Sequence, residues 1–162
     1  MKADGFIGFR VDDRMIHGIV ATQWVPQLKA TRAMVIDNAA STNEIMRQSM
    51  KMACPAGVAL SVIDIDKAVA NISVQKYASQ KVFCVFRSIE TAYKMWKAGV
   101  EIPALNLGDI TQNSGETTVL GKTVRINPEE KKMLKEMNDA GVKITVRFSI
   151  SDQEINVADL LK

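Results

Sequence analysis

The sequence predicts a single α/β domain over residues 1–162, built on a largely parallel open sheet of about seven strands with helices on both faces. Three observations carry this. Short apolar runs alternate repeatedly with segments of helical period, and the joins between them are short. One run, Val82-Phe83-Cys84-Val85-Phe86, is nearly all apolar, as in a strand covered on both faces. No repeat, low-complexity tract or linker divides the chain, and 47% hydrophobic with 24% charged residues suffices for one core.

Phe6 to Val11 reads as the first strand, followed by the polar break Asp12-Asp13-Arg14. From Met15 to about Leu28 the residues Ile16, Ile19, Val20 and Trp24 recur at helical spacing, and Pro26 weakens or ends that helix. Arg32 to Ile36 is a second strand. Ser41 and Glu44 have the spacing of a capping box, opening a helix whose inner face is Ile45, Met46, Ser49, Met50 and Ala53. Pro55-Ala56-Gly57 stops it. Val58 to Ile63 is a third strand, and Asp64 caps a helix from Ile65 to Ile72. After the apolar fourth strand, Ser88 and Thr91 open a helix that stops at Gly99. Ala104 to Leu107 is a fifth strand, and Val119 to Ile126 holds further strand material. Asn127-Pro128-Glu129-Glu130 combines an N-cap amide, a first-turn proline and acids near the positive end of the helix dipole. That helix ends at Gly141, Val142 to Phe148 is a last strand, and Val157 to Leu161 is a short terminal helix.

Composition narrows the function classes. The net charge of +3 is mild, its basic residues are dispersed and only 6% of residues are aromatic, so no nucleic-acid partner is expected. No apolar run spans a bilayer and Met1 to Gly5 lacks a signal-peptide core, which makes a cytoplasmic location the default. Cys54 and Cys84 are widely separated and read as buried small hydrophobes. With one histidine and no Cys-x-x-Cys, no metal is expected.

In open α/β sheets, ligands bind beyond the carboxyl ends of the strands. The first such loop places Arg10, Asp12, Asp13, Arg14 and the sole histidine, His17, within eight positions, with Gly18 next. If a helix begins near Asp13, Arg14 and His17 share a face. An imidazole is a usable nucleophile at neutral pH, and an aspartate on one ring nitrogen leaves the other bare. Arg14 can grip phosphoryl oxygens with its planar fork, and the N–H groups at the helix start, Gly18 included, add donors. No Gly-x-Gly-x-x-Gly follows the first strand, and Gly115 to Thr123 imitates a P-loop with one residue too many. A static, non-covalent phosphate or nucleotide site, and a regulatory docking module, are the competing classes.

The stretch Arg10-Val11-Asp12-Asp13-Arg14-Met15-Ile16-His17-Gly18-Ile19-Val20-Ala21-Thr22-Gln23-Trp24 closely resembles the active-site segment of the IIB subunits of the mannose/fructose/sorbose family of the phosphoenolpyruvate-dependent sugar phosphotransferase system. Met15 stands for the family's usual leucine and Ile19 for its usual glutamine. The resemblance extends through Pro55-Ala56-Gly57-Val58, Lys76-Tyr77-Ala78, Lys97-Ala98-Gly99-Val100 and Ala140-Gly141-Val142. Asn106-Leu107-Gly108-Asp109 is similar to another family segment, with Asp109 as a departure; an acid there would repel phosphate if it pointed inward.

The resemblance implies a phosphohistidine–sugar phosphotransferase component. His17 would accept a phosphoryl group on Nδ1 from a phosphorylated IIA protein or domain. It would pass the group to a sugar held by the membrane IIC and IID subunits, with peripheral association at the membrane. Asp12 and Arg14 carry over as supporting residues, and Arg10 and Asp13 as weaker ones. Phe86, Arg87 and Ser88 are expected to form a neighbouring wall, or else simply a strand end and helix cap. No cofactor is expected. The ends at Met1 and Lys162 suggest a free-standing subunit, and dimers are common enough to expect a homodimer.

Overall fold

A computed structural model describes residues 1–162. Its main sheet has seven strands: β1 (Phe6–Asp12), β2 (Arg32–Ile36), β3 (Ala59–Ile63), β4 (Val82–Phe86), β5 (Ala104–Asp109), β8 (Lys143–Val146) and β9 (Ile155–Asn156). Their order is β3-β2-β4-β1-β5-β8-β9. All neighbours pair in parallel except β8 and β9. The expected sheet is therefore present, with one short antiparallel edge strand. The 119–126 segment forms instead a separate hairpin of β6 (Thr118–Leu120) and β7 (Val124–Ile126). Its turn is Gly121-Lys122-Thr123, with Gly121 at φ +67, so the P-loop imitation leads into a strand and not a helix.

Alternation along β4 explains its apolar composition. Val82, Cys84 and Phe86 join one core, and Phe83 and Val85 the other. The first core is covered by α4 (Ile65–Ser73), α5 (Ile89–Lys97) and α6 (Pro128–Asp139), which contribute Ile72, Met95 and Leu134. The second is covered by α1 (residues 18–27) and α3 (Glu44–Ala53), through Val20, Trp24 and Met50. Cys84 is fully buried and Cys54 half-buried; burial pushes both thiols up, which suits packing and not reactivity. No helix is long and apolar enough to cross a membrane.

Capping chemistry sets most helix starts. Asp64, Ser88 and Asn127 each accept a backbone N–H as expected, and Asn127 forms a reciprocal capping box with Glu130. Ser41 does not start α3. It lies in a short helix, α2 (Asn38–Ser41), capped by Asp37, and Asn43 caps α3 by accepting from Met46 N–H. Starting there, α3 turns Met46 and Met50 inward and leaves Ile45 and Ala53 in solvent.

The first helix also departs from expectation. It begins at Gly18, and Asp13 to His17 form a turn in which Met15 adopts φ +62. A left-handed residue interrupts a right-handed helix, at a cost of about 1–2 kcal/mol. Met15 and Ile16, both buried, tether the turn to the second core. Val20–Trp24 is π-helical, with Val25 N–H bonded to Val20 O, just ahead of Pro26. In a regular α-helix the Pro26 ring would clash with the carbonyl four residues back, and the wider turn relieves that clash.

Phe86 is fully buried and stacks on Phe9 at 6.0 Å. Phe86→Ala is expected to lower unfolding free energy by about 3–5 kcal/mol in urea titrations, whereas Val119→Ala on the exposed hairpin should change it by about 0.5 kcal/mol or less.

Candidate functional site

The carboxyl ends of β1 and β5 lie side by side, with Asp12 in register with Asp109. Asp12, fully buried at the end of β1, organises the site. Its Oδ2 accepts from Arg10 Nε at 3.3 Å and Nη2 at 3.1 Å. Its Oδ1 accepts from Arg14 N–H at 3.0 Å and faces His17 Nε2 at 3.0 Å. Arg10 is also fully buried, and its remaining donors reach Asn106 Oδ1 and the carbonyls of Arg147 and Phe148. The guanidinium lies 4.8 Å from the Trp24 ring centre, and Trp24 donates through Nε1 to Phe148 O. Burial pulls the Arg10 guanidinium downward from its usual range, and the Asp12 carboxylate opposes that pull.

Gly108 completes this scaffold. A Cβ there would lie 2.0 Å from Arg10 Cζ, so the absence of a side chain is what admits the guanidinium.

A carboxylate only accepts, so the contact with Asp12 assigns the proton of a neutral His17 ring to Nε2 and the lone pair to Nδ1. The His17 side chain is 21% exposed. Beside it Gly18 is exposed, and a Cβ built on it would meet nothing within 4 Å. The arrangement suits nucleophilic attack by Nδ1 on an electrophile brought from outside.

Arg14 reaches away from the helix, and its Nη2 pairs with Asp109 Oδ2 at 2.7 Å. Arg14 and His17 therefore meet through Asp12 and not on a shared helical face, because the turn replaces the first helical residues. Asp13 ties the two loops together. Its N–H donates to Asp109 O, and its Oδ2 accepts from Thr111 N–H at 2.8 Å. Asp13 Oδ1 is buried with no hydrogen-bond partner. Carboxylate oxygens of Asp12, Asp13 and Asp109 lie within 4.8 Å of one another. Burial pushes the Asp109 carboxyl above the ordinary range; Arg14 opposes the shift, and Asp12 and Asp13 reinforce it.

The other expected wall is divided between core and cleft. Phe86 packs in the core, Ser88 caps α5 by accepting from Thr91 N–H, and Arg87 pairs with Asp37 at 3.3 Å. Arg87 and Ser88 line, with Asp13, Asp37, Gln112, Asn113 and Glu130, a polar cleft of about 530 Å³.

The family described as "PTS system sorbose subfamily IIB component" matches residues 7–162 of this sequence. The chain belongs to that family. It is 31% identical over 150 residues to the sorbose-specific EIIB component of Klebsiella pneumoniae, covering 93% of this chain and 91% of that one. The crystal structure of the IIBSor domain of the K. pneumoniae sorbose permease superposes with a TM-score of 0.88 at 30% identity, over 95% of this chain and 94% of that one. The mannose-specific EIIAB component of Escherichia coli (strain K12) is 27% identical over 152 residues, which are 94% of this chain and 47% of that protein. The chain is thus a IIB component of a sugar phosphotransferase system.

In this IIB component, sequence reasoning grouped Arg10 to Gly18 but gave no role to Asn106, Trp24, Arg147 or Phe148, which hold Arg10 in place. Asn106 and Gly108 sit in one strand, and their spacing does carry a signal: an amide and a glycine two apart at a strand end. The carbonyls of Arg147 and Phe148 carry none, because any residue supplies a carbonyl.

Two measurements check this geometry. Arg10→Met should destabilise the protein by about 3–5 kcal/mol in urea unfolding, because Asp12 stays buried without its cation, and Arg10→Met with Asp12→Leu should recover part of that loss. Imidazole ¹⁵N shifts of wild-type protein should report the neutral His17 ring protonated on Nε2; a dominant Nδ1–H form would contradict the assignment.

Proposed function

We propose that this IIB component is a covalent phosphoryl carrier, with His17 Nδ1 as the acceptor atom. A phosphorylated IIA protein or domain is the donor, and a sugar held by membrane IIC and IID subunits is the final acceptor. The observation that carries the reading is the His17–Asp12 contact, which occupies Nε2 and leaves Nδ1 without a protein partner on a side chain that is partly exposed.

The steps balance without an added reagent. The Nδ1 lone pair attacks the phosphorus of the donor phosphohistidine; the new N–P bond forms as the donor's N–P bond breaks, and that electron pair returns to the donor imidazole. The His17 ring keeps its Nε2 proton and becomes an imidazolium bearing the phosphoryl group, a cation that the Asp12 carboxylate stabilises. In the second step a sugar hydroxyl oxygen attacks phosphorus, the N–P pair returns to Nδ1, and the hydroxyl proton leaves to water. Such transfers depend on positioning and charge stabilisation more than on covalent machinery.

Arg14, half-exposed on the same loop, is the cation suited to the phosphoryl oxygens. Arg10 supports the site from behind Asp12, and Asp13 holds the two loops together. The sequence relationship to an EIIAB protein supports a IIA-type donor, since that name joins A and B functions in one protein. A peripheral seat on the transporter and a homodimer belong to the same reading.

Incubation with phosphoenolpyruvate, the general phosphotransferase proteins and a IIA partner should place acid-labile, alkali-stable phosphate on His17, and His17→Ala should abolish it. Arg14→Ala should slow transfer by about a hundredfold while lowering unfolding free energy by only about 1 kcal/mol or less. Saturable phosphate binding with no phosphoprotein would replace this reading by a static phosphate site.

A further inference from the structure

Arg14 is the exposed arginine of the loop that carries His17, and its backbone shares Asp12 Oδ1 with the His17 ring, yet a carboxylate already holds its guanidinium. Asp109 Oδ2 takes Arg14 Nη2 at 2.7 Å, and the Asp109 side chain is 7% exposed against 52% for Arg14. The neighbouring arginines are engaged elsewhere, Arg147 with the carbonyls of Asp152 and Ile150. Arg10 is committed to Asp12, Asn106 and two carbonyls, and Arg87 is paired with Asp37.

We infer that Asp109 is a positioning residue that competes with the phosphoryl group for Arg14. It holds the guanidinium while His17 is bare and releases it when His17 is loaded. This inference rests on the carrier function proposed above.

A phosphoryl group, carrying close to two negative charges and three acceptor oxygens, outbids a single carboxylate for one guanidinium. The release has a cost. Asp109 is then left nearly buried, with Asp12 and Asp13 oxygens within 4.8 Å and no cation of its own. Water reaches it poorly, so it must bear the repulsion or take up a proton. The upward push that burial and the two aspartates already exert on its carboxyl, with Arg14 as the opposing influence, favours proton uptake once Arg14 departs. Either cost raises the free energy of the loaded protein and leaves that of the bare protein unchanged. Asp109 thereby keeps the phosphoryl group transferable: a relay that held it more tightly would pass it on less readily, by tenfold for about each 1.4 kcal/mol.

The effect is bounded by the half-exposed position of Arg14, where ion pairs are worth about 1 kcal/mol or less, so about a fivefold effect is expected. The test is the phosphoryl-exchange equilibrium between phospho-IIA and this chain, with phosphoenolpyruvate and the general proteins used to charge the mixture and then removed. Asp109→Asn and Asp109→Ser should each shift occupancy toward His17 by about fivefold and slow onward transfer, whereas Asp109→Glu should lie nearer wild type. In an Arg14→Ala background the Asp109→Asn shift should shrink below about twofold, because the competition has lost its object. Loading of all variants with equal occupancies overturns the inference, as does an undiminished shift without Arg14. Failure of the wild-type chain to load at all overturns the carrier function, and this inference with it.

Discussion

The buried pair of Arg10 and Asp12 is the interaction on which the site depends. Two charges withdrawn from water carry a desolvation penalty of several kcal/mol each, which attraction offsets only if the remaining donors and acceptors are met. Here they are met in full. Asp12 has four donors on its two oxygens, and Arg10 gives its other N–H groups to Asn106 and two carbonyls while its guanidinium lies over the Trp24 ring. The pair therefore fixes the position of an oxygen, Asp12 Oδ1, to which the His17 ring and the Arg14 backbone N–H both attach. Orientation of His17 follows from a core interaction and not from the exposed loop alone.

That arrangement also explains why the fold was legible from sequence while its first helix was misjudged. Alternation of strand and helix, the all-apolar β4 and the caps Asp64, Ser88 and Asn127 are local patterns, and each led to the observed element. The apolar spacing of Ile16, Ile19 and Val20 is local too, but Asp13 binds a residue far along the chain, and Asp12 binds Arg10, which is itself anchored to Asn106, Arg147 and Phe148. Asp13 goes to Thr111, Asp12 goes to Arg10, and the backbone between them and His17 bends through a left-handed Met15 to allow both. Tertiary demand there overrides helical period. The same lesson holds at α3, where Asn43 rather than Ser41 became the cap and rotated Ile45 outward.

For the site, the sequence displayed the residues of one loop and concealed what that loop leans on. Arg10 reads in sequence as a phosphate ligand as easily as a support; only its full burial assigns it to support. Asp109 reads as a departure of unknown direction; the structure turns its carboxylate toward Arg14. Phe86 illustrates the reverse, since proximity in sequence to a strand end left it in the core, whereas Ser88 caps α5 at the cleft that Asp13 also lines.

The histidine ring has two nitrogens, and Asp12 claims one from the interior. Only one ring nitrogen of His17 is thus left without a partner. On the function proposed here, donor and acceptor must use that single doorway, so they cannot occupy it together. One protein has to leave before the next arrives, and each cycle divides into two half-reactions separated by a free, loaded carrier. The kinetics of such a relay are those of alternating visits, in which the lifetime of the unaccompanied phosphoprotein governs how well the two visits are joined.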